Sequence, residues 1–238
     1  MSTIAAPGTT ARRRAGRPRH VNVATTLDAR DQILDAAGRL FVTRGFAATS
    51  TREIAEACGI RQASLYYHFD GKPGILAELL QQSVRPSLDN IEKIELECPL
   101  EFPEAALYLL ALVDVHTLAT LPHNTGRLYR MPDVRNSDEF RRFKTTLKQL
   151  SEAYGRLGIN VASEAVASSI CVSQLGEILV QTVEVVIRSR ANGDSVTCTE
   201  TQAISDACLR VCGVSGERIE RAAGIAKELL PGLVGPSN

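Results

Sequence analysis

The stretch TREIAEACGIRQASLYYHFDGK, residues 51 to 72, constrains the fold more than any other part of the chain. Just before it, Ser50 stands three positions ahead of Glu53, which is the spacing of a capping box at a helix start. Gly59 supplies the left-handed residue that ends this helix. A second short helix, with Ile60 and Leu65 as apolar anchors, follows at once. The stretch therefore predicts a helix-turn-helix.

The second helix of this pair has an outer face without a carboxylate. It carries small, amide, hydroxyl and aromatic hydroxyl groups, on Gln62, Ala63, Ser64, Tyr66, Tyr67 and His68. Such groups bind base edges and phosphates in duplex DNA. The face therefore favours a DNA-binding surface.

The run from Ile33 to Lys72 resembles the TetR-type transcriptional regulators. ILDAAGRLFVTRGF, TSTREIAEACGI and SLYYHFDGK correspond in order to the family's first helix, its helix-turn-helix and the Leu-Tyr-x-His-Phe segment that leads to a lysine. One position departs from the pattern, because Arg61 stands where the family usually has a Ser or Thr cap. Arg61 is then either a phosphate contact or an unusual cap.

The resemblance implies that the partners are double-stranded DNA with a palindromic operator, a small-molecule effector and a second copy of the chain. It implies pairing through the last long helices, here parts of 162 to 190 with 199 to 212 or 216 to 230. The resemblance and the outer face together give the DNA contacts. The base-edge candidates are Arg52, Gln62, Ala63 and Ser64, and the phosphate candidates are Thr51, Tyr66, Tyr67, His68 and Lys72.

The charge distribution supports a polyanionic partner. The formal net charge is zero, but residues 1 to 72 hold eleven Lys/Arg against six Asp/Glu, and the remainder holds sixteen against twenty-one. The basic end should face DNA. Within it, residues 1 to 27 predict a disordered basic tail, and Arg17 in AGRPRH resembles the Gly-Arg-Pro core of minor-groove hooks. The alternative is general attraction of a solvated tail to phosphates.

Hydrophobic periodicity predicts an all-α fold. A three-helix DNA-binding domain over 28 to 72 is expected ahead of a larger helical domain over 73 to 232, which the resemblance implies would bind the effector and the second subunit. Six or seven helices are expected in the larger domain. The expected segments outside the helix-turn-helix are 28 to 44, 73 to 84, 104 to 119, a helix capped by Asn136, 162 to 190, a helix capped by Thr197, and 216 to 230.

Residues 121 to 136, LPHNTGRLYRMPDVRN, predict a long loop. A loop of this length in a compact domain is uncommon unless functional, so it is one candidate wall of an effector pocket; a solvated surface loop is the alternative. The pocket is expected between this loop and the helices at 104 to 119 and 162 to 190. Polar residues on these apolar segments are the ligand candidates, although neighbouring helices could satisfy each of them. They are Asp114, His116, Arg130, Gln174 and Gln181.

Other chemistries have little support in the sequence. Cys198, Cys208 and Cys212 suggest a redox or metal site, but Cys208 and Cys212 lie on an apolar stripe and are interpreted as buried reduced thiols. The four histidines show no metal-ligand spacing, and no catalytic pair or cofactor motif was found, so neither a metal nor a cofactor is expected. No secretory signal or membrane-spanning apolar run is present, which predicts a cytoplasmic protein.

The sequence therefore favours a ligand-responsive DNA-binding repressor. An effector that shifts the helix over 73 to 84 would change the separation of two recognition helices and release the operator. Two alternatives stay open. One is an effector-independent DNA-organising protein, and the other is a carrier or enzyme in which the helix-turn-helix is incidental.

Overall fold

The computed structural model describes residues 28–234, and all regular structure in this range is helical. The tail expected over residues 1 to 27 lies outside the described residues. In chain order, the α-helices are α1 Ala29–Arg44, α2 Thr51–Ala57, α3 Gln62–His68, α4 Gly71–Gln82, α5 Arg85–Asp89, α6 Ile91–Glu97, α7 Glu104–Thr120, α8 Pro132–Arg135, α9 Asp138–Val161, α10 Glu164–Ala167, α11 Val172–Val183, α12 Val185–Ala191, α13 Cys198–Val211 and α14 Gly216–Leu229. The all-α prediction is confirmed, with eleven α-helices rather than six or seven behind the first three in this part of the chain.

Helix α1 forms as the sequence predicts. The Asp28 carboxylate accepts a hydrogen bond from the Asp31 backbone N–H at 2.9 Å, and Gly45 ends the helix with a φ of 97°. Its apolar stripe, which includes the fully buried Ile33 and Phe41, covers the inner side of α2 and α3. Two helices of seven residues cannot stabilise themselves, so α1 supplies the core they need.

The turn between α2 and α3 also follows the sequence. Ser50 and Glu53 form the complete capping box, and Gly59 adopts a φ of 68°, which a side chain would strain. Ile54 and Leu65 are fully buried between the two helices. The helix-turn-helix is therefore present at the predicted position. We call residues 28–72 the N-terminal domain.

Helix α4 leads out of the N-terminal domain and begins two residues earlier than predicted. Ile75 and Leu76 are fully buried, and their core is continuous with both the N-terminal domain and the rest of the chain. The domain boundary predicted at residue 72 thus falls within the first turn of α4. Because α4 belongs to both cores, a shift of this helix moves the N-terminal domain.

Helix α7 is the centre of the larger part of the molecule. It is buried nearly all round, as its Leu-rich sequence predicts, and α9, α13 and α14 pack on it. The buried carboxylate of Glu104, at its first turn, pairs with Arg218 on α14. Within residues 28–234 no single helix is long and apolar enough to cross a membrane, and a bend of 109° separates α7 from the 3₁₀ segment after it.

Helices α9 and α11 are in backbone contact. A Cβ on Gly176 would collide with the Ser151 backbone carbonyl oxygen, and one on Gly158 would lie 2.7 Å from Leu179 Cδ1. The two helices therefore approach each other only because glycines face the partner. Helix α9 is capped by Ser137, not by Asn136 as predicted: the Ser137 hydroxyl accepts from the Phe140 backbone N–H at 3.2 Å.

Residues 121–136, which we call the linker segment, correct the prediction of a loop. They form a 3₁₀ segment, Pro122–Arg130, and the short helix α8. The 3₁₀ segment has a kink at His123 and Asn124, which both have positive φ. The Asn124 amide compensates by donating to the Ile187 carbonyl oxygen at 2.9 Å. Contacts with distant parts of the fold hold the segment in this form, and such contacts cannot be predicted from the hydrophobic periodicity of the sequence.

The single helix predicted over 162 to 190 is also wrong. This region contains α10, α11 and α12, with turns between them, and α9 is the longest described helix. Ser163 is the N-cap of α10. Glu184 separates α11 from α12, and its carboxylate accepts hydrogen bonds from the side chains of Tyr129 and Arg130. The capping box predicted at Thr197 and Glu200 is present at the start of α13.

The three cysteines considered for a redox or metal site differ in burial. Cys208 and Cys212 on α13 are fully buried, and burial raises the pKa of the Cys208 thiol to about 12 and that of the Cys212 thiol to about 11. Both thiols are therefore protonated at neutral pH, as expected of core residues. Cys198 is exposed. The residues described here include no cluster of three or more His, Cys, Asp or Glu side chains arranged to hold a metal ion.

Candidate nucleic-acid interface and effector cavity

Helix α3 has a buried side and an exposed side. Leu65 is fully buried against α1 and α2, whereas Gln62, Ala63 and Ser64 are exposed and Tyr67 is 87% exposed. His68, half-buried, stacks edge-on with the Tyr67 ring at 5.2 Å between centroids. The exposed side is the polar face that the sequence predicts, and it is open at every predicted position except His68.

A hydrogen-bonded row joins α2 to α3 on this face. Gln62 Nε2 donates to Thr51 Oγ1 at 2.9 Å, and Thr51 Oγ1 lies 3.3 Å from the Tyr66 hydroxyl. The three side chains thus hold one another in place before any ligand arrives. Binding of the Gln62 amide to a base edge stays a prediction, and side chains already held in place would lose less entropy in such a contact.

Two arginines flank the row. Arg61 occupies the N-cap position of α3 and is exposed, and its guanidinium cannot accept a cap hydrogen bond, so its role as a phosphate contact stays a prediction. On α2, Arg52 Nε donates to Glu56 Oε1 at 2.8 Å, and this hydrogen bond raises the pKa of Arg52. Glu56 therefore orients Arg52, whose contact with a base edge stays a prediction.

Lys72 makes contacts inside the N-terminal domain. Its ammonium donates to the Phe46 carbonyl oxygen at 2.7 Å and lies 4.4 Å from the centroid of the Phe46 ring. Partial burial lowers the pKa of Lys72. The residue fastens the loop between α1 and α2, so its role in phosphate binding stays a prediction. Arg17, the other basic candidate, lies outside the described residues.

The linker segment packs on α1 and makes two hydrogen bonds with the N-terminal domain. His123 Nε2 lies 2.8 Å from Asp35 Oδ1 on α1. Ten residues later, Asp133 Oδ2 accepts a hydrogen bond from the Ala47 backbone N–H at 2.9 Å, in the loop that leads to α2. The same segment binds α12 and the turn before it, through Asn124, Tyr129 and Arg130. The linker segment thus connects the N-terminal domain to α12 and to the turn between α11 and α12.

A cavity of about 480 Å³ lies beside these contacts, between the N-terminal domain and the rest of the molecule; we call it the interdomain cavity. Its walls come from α1, α4, α5, α7 and the linker segment, and residues 233 and 234 close one side. His116 is the one predicted ligand residue that lines it. Two of the predicted walls, α7 and the linker segment, do line this cavity. The third predicted wall, residues 162 to 190, does not, and α1 and α4 line the cavity instead.

The other predicted ligand residues lie elsewhere. Arg130 and Gln181 line a second cavity, of about 590 Å³, between the α11–α12 region and α13, where Arg130 pairs with Glu184. Gln174 is exposed on α11, and its amide oxygen accepts from the Cys171 backbone N–H at 3.4 Å. The structure does not bring the five candidates together in one pocket.

Asp114 is buried within the core. Its two carboxylate oxygens accept hydrogen bonds from the Ser87 hydroxyl at 2.9 Å and the Tyr154 hydroxyl at 3.1 Å. Burial raises the pKa of Asp114 to about 7, the two hydrogen bonds oppose this shift, and the negative charge of Glu184 adds to it. Asp114 therefore links α5, α7 and α9, and neighbouring helices supply its hydrogen-bond partners. This is the alternative to a ligand-binding role that the sequence left open.

Sequence reasoning missed four residues that the structure makes central. Asp35, Thr125, His123 and Asp133 connect the two parts of the molecule or line the interdomain cavity. Three of them lie in the segment that was singled out for its unusual length and composition. That signal located the segment, but nothing in the sequence indicated that its partners lie in the N-terminal domain.

An exposed, carboxylate-free recognition helix on a small helical domain, joined by side-chain contacts to a larger cavity-bearing domain, defines a helix-turn-helix DNA-binding regulator. Comparison with known proteins agrees. Residues 33–79 match the family model "Bacterial regulatory proteins, tetR family". Among curated proteins, the chain is 33% identical over 113 residues to the HTH-type transcriptional regulator AcrR of Shigella flexneri, covering 48% of this chain and 51% of that one. The chain thus spans about half the length of this relative.

Two further relatives extend beyond the helix-turn-helix. The chain is 32% identical over 174 residues to the HTH-type transcriptional repressor KstR2 of Rhodococcus jostii, covering 71% of this chain and 82% of that one. The crystal structure of Mycobacterium smegmatis AmtR superposes with a TM-score of 0.73 at 34% identity, covering 92% of this chain and 100% of that one. The chain belongs to the tetR family of bacterial regulatory proteins.

Proposed function

We propose that the protein is a cytoplasmic transcriptional repressor that binds a palindromic operator as a homodimer and leaves it when a small-molecule effector binds. The observation that carries this proposal is the position of the interdomain cavity. Its walls include α1, which supports the recognition helix, and α4, which connects the two domains. A molecule in this cavity would therefore contact the DNA-binding domain itself.

The DNA-binding part rests on the face of α3. Gln62, Ala63 and Ser64 are exposed at its start, where the recognition helix of a helix-turn-helix meets base edges. Arg61 and Tyr67 stand beside them for phosphates. The name of the Rhodococcus relative supports repression as the sign of the effect. The named relatives are regulators, which supports a non-enzymatic role.

The homodimer rests on an apolar surface outside the core. Val172 and Ile178 on α11 are each 43% exposed, and Ile204 and Ala207 of α13 line the second cavity nearby. Partly exposed apolar side chains on two neighbouring helices are typical of a subunit interface. A two-fold dimer would place two recognition helices about 34 to 36 Å apart, which matches successive major grooves.

The test of dimerisation is sedimentation of the full chain at micromolar concentration. A dimer is expected for the wild type and a monomer for Ile178→Glu. Leu100→Glu is the matched control, because Leu100 is 92% exposed and lies outside α11 and α13. A wild-type monomer, or equal weakening by both substitutions, would contradict the proposed interface.

The test of repressor function is selection of binding sites from a random duplex library at fixed salt. A two-fold symmetric sequence should emerge and should bind more tightly than a scrambled duplex of equal length. Equal affinity for both duplexes would instead indicate the alternative, an effector-independent DNA-organising protein.

A further inference from the structure

The side chain of Gln62, at the start of α3, is already bound to a neighbour on α2. Its Nε2 donates to Thr51 Oγ1 at 2.9 Å, and the same Thr51 oxygen lies 3.3 Å from the Tyr66 hydroxyl. Gln62 and Tyr66 are exposed, and Thr51, which contacts both, is half-buried. The hydrogen-bonded row therefore determines which groups of the Gln62 amide remain available to a ligand.

The remaining groups of this amide match one base. An amide has two N–H donors on its nitrogen and an acceptor oxygen. Thr51 takes one N–H of Gln62, so one N–H and the oxygen remain. In the major groove, where the recognition helix lies, adenine presents the N7 acceptor beside the N6 amino donor. Guanine presents two acceptors, N7 and O6, so one of them would face the amide oxygen with no proton between them. The amide as held here therefore complements adenine and disfavours guanine.

The orientation of the amide depends on the proton of the Thr51 hydroxyl. This hydroxyl has one proton to donate and two lone pairs that accept. A proton directed at Gln62 would let the amide turn over and present both N–H groups, which suit guanine. The Tyr66 oxygen is close enough to accept that proton, while the Tyr66 proton stays free for a phosphate. Thr51 then offers Gln62 only an acceptor, which keeps Nε2 on Thr51.

From these observations we propose that Gln62 reads adenine in each half-site of the operator and that Thr51 and Tyr66 are the positioning residues that set this preference. Tyr66 accepts the Thr51 proton, and Thr51 accepts one N–H of Gln62. The free N–H of the amide donates to adenine N7, and its oxygen accepts from the N6 amino group. The adenine preference rests on the proposed function, since it needs a specific DNA site.

The experiment uses the symmetric duplex obtained by binding-site selection. The position read by Gln62 is the one that loses its preference in Gln62→Ala. Four duplexes carry A, G, C or T at this position of one half-site, and their affinities for the full chain are measured at one fixed salt concentration. The wild type should bind the adenine duplex about five- to 150-fold more tightly than the guanine duplex, the discrimination that one bidentate base contact gives. Preference for another base, or an unchanged site preference in Gln62→Ala, would overturn the proposal.

Two substitutions test the positioning residues. Tyr66→Phe frees the Thr51 proton for the Gln62 oxygen, and Thr51→Val removes the hydroxyl with little change in shape. In both variants the ratio of adenine to guanine affinity should fall below about threefold, whereas Thr51→Ser, which keeps the hydroxyl, should retain the wild-type ratio. Tyr67→Phe is the matched control, because Tyr67 is 87% exposed and its ring stacks on His68 outside the row. Its ratio should stay at the wild-type value.

The ratio separates positioning from general support of the interface. A merely structural role, or loss of a phosphate contact, would weaken binding to all four duplexes equally. An unchanged ratio in both Tyr66→Phe and Thr51→Val, with melting temperatures near that of the wild type, would therefore refute the positioning role. A second measurement needs no DNA: the NMR signals of the Gln62 side-chain amide in the free protein should shift in Thr51→Val and not in Tyr67→Phe. Absence of this difference would also count against the proposal.

The same data distinguish failure of this proposal from failure of the proposed function. A protein that selects no symmetric duplex would refute the proposed function and, with it, the reading of an operator adenine. A protein that selects a symmetric duplex but binds adenine and guanine equally at the Gln62 position would refute the adenine assignment alone.

Discussion

The carboxylate of Asp133 accepts a hydrogen bond from the backbone N–H of Ala47 at 2.9 Å, although 86 positions separate the two residues. Ala47 precedes α2, and Asp133 lies in the first turn of α8, the short helix after the 3₁₀ segment. The loop in front of the helix-turn-helix is therefore held partly by a side chain from the other domain.

Asp133→Ala should loosen this loop. Loss of one hydrogen bond at an exposed site is expected to weaken the local structure by about 0.5 to 1.5 kcal/mol. Amide hydrogen exchange over residues 45 to 50 should accelerate, while exchange in α7 stays unchanged. Asp138→Ala is the control, because Asp138 pairs only with Arg141 on its own helix. Equal acceleration in both variants would show that the contact has no local role.

Gln62 and Arg61 should contribute to DNA binding in different ways. Gln62→Ala is expected to relax the preference at one position of each half-site by about 1 to 3 kcal/mol. Arg61→Ala should weaken binding to all duplexes and reduce the slope of log affinity against log salt by about one. Titrations of specific and scrambled duplexes at several salt concentrations separate the two effects. The assignment is wrong if both variants lose affinity equally on both duplexes.

Arg61 is a better probe of phosphate binding than Lys72. The sequence indicates Lys72 as a phosphate contact, but its ammonium also donates to the Phe46 carbonyl oxygen. Lys72→Ala would therefore alter the loop between α1 and α2 together with any DNA contact. Arg61 is exposed at the N-cap of α3, so its replacement leaves the loop between α1 and α2 unchanged.

Asp114 should make stability depend on pH. Burial raises its pKa in the folded protein to about 7, whereas in the unfolded chain it titrates near the ordinary value of about 4. Between these values the folded state binds the extra proton, so the contribution of this group to stability is complete below about pH 4 and is lost as pH rises through about 7.

The measurement is the melting temperature of the wild type and of Asp114→Asn from pH 5 to pH 8. The difference between them should shift in favour of the variant as pH rises, at up to about 1.4 kcal/mol per pH unit, because an amide does not ionise. Asp138→Asn, at an exposed ion pair, should show no such trend. A parallel pH dependence in wild type and Asp114→Asn would contradict the raised pKa.

The contact between α9 and α11 should not tolerate a side chain at Gly176. Gly176→Ala places a methyl group against the Ser151 carbonyl oxygen and is expected to destabilise the fold by about 1 to 3 kcal/mol. Gly224→Ala is the matched control, because nothing lies within 4 Å of its added methyl group on α14. There the change should stabilise by about 0.5 to 1 kcal/mol. Chemical denaturation of both variants gives the comparison.

Local patterns in the sequence were enough to predict the N-terminal domain. Ser50, Glu53 and Gly59 act within a few residues of themselves, so their spacing encodes the helix ends directly. The exposed face of α3 could also be predicted, because Leu65 is the buried anchor of this short helix and the polar residues around it must then face outward. These elements depend little on the rest of the chain.

The linker segment could not be predicted in the same way. Pro, Gly and Asn suggested a loop, but Asn124 and Arg190 satisfy backbone carbonyl groups across the fold and hold the segment in helical turns. Likewise, one apolar pattern runs through 162 to 190 although the helix breaks at Glu184, because the side chains on both sides of the break enter the same core. Long-range partners decide both cases, and periodicity contains no information about them.

The attachment of the linker segment to the N-terminal domain has a mechanical consequence. Two hydrogen bonds, at Asp35 and Ala47, join them through His123 and Asp133, and α1 also packs along the 3₁₀ segment. The N-terminal domain is therefore attached over a surface, which leaves no free axis of rotation at this boundary. While this surface holds, α3 cannot change its distance from a second copy of itself unless the linker segment moves with it.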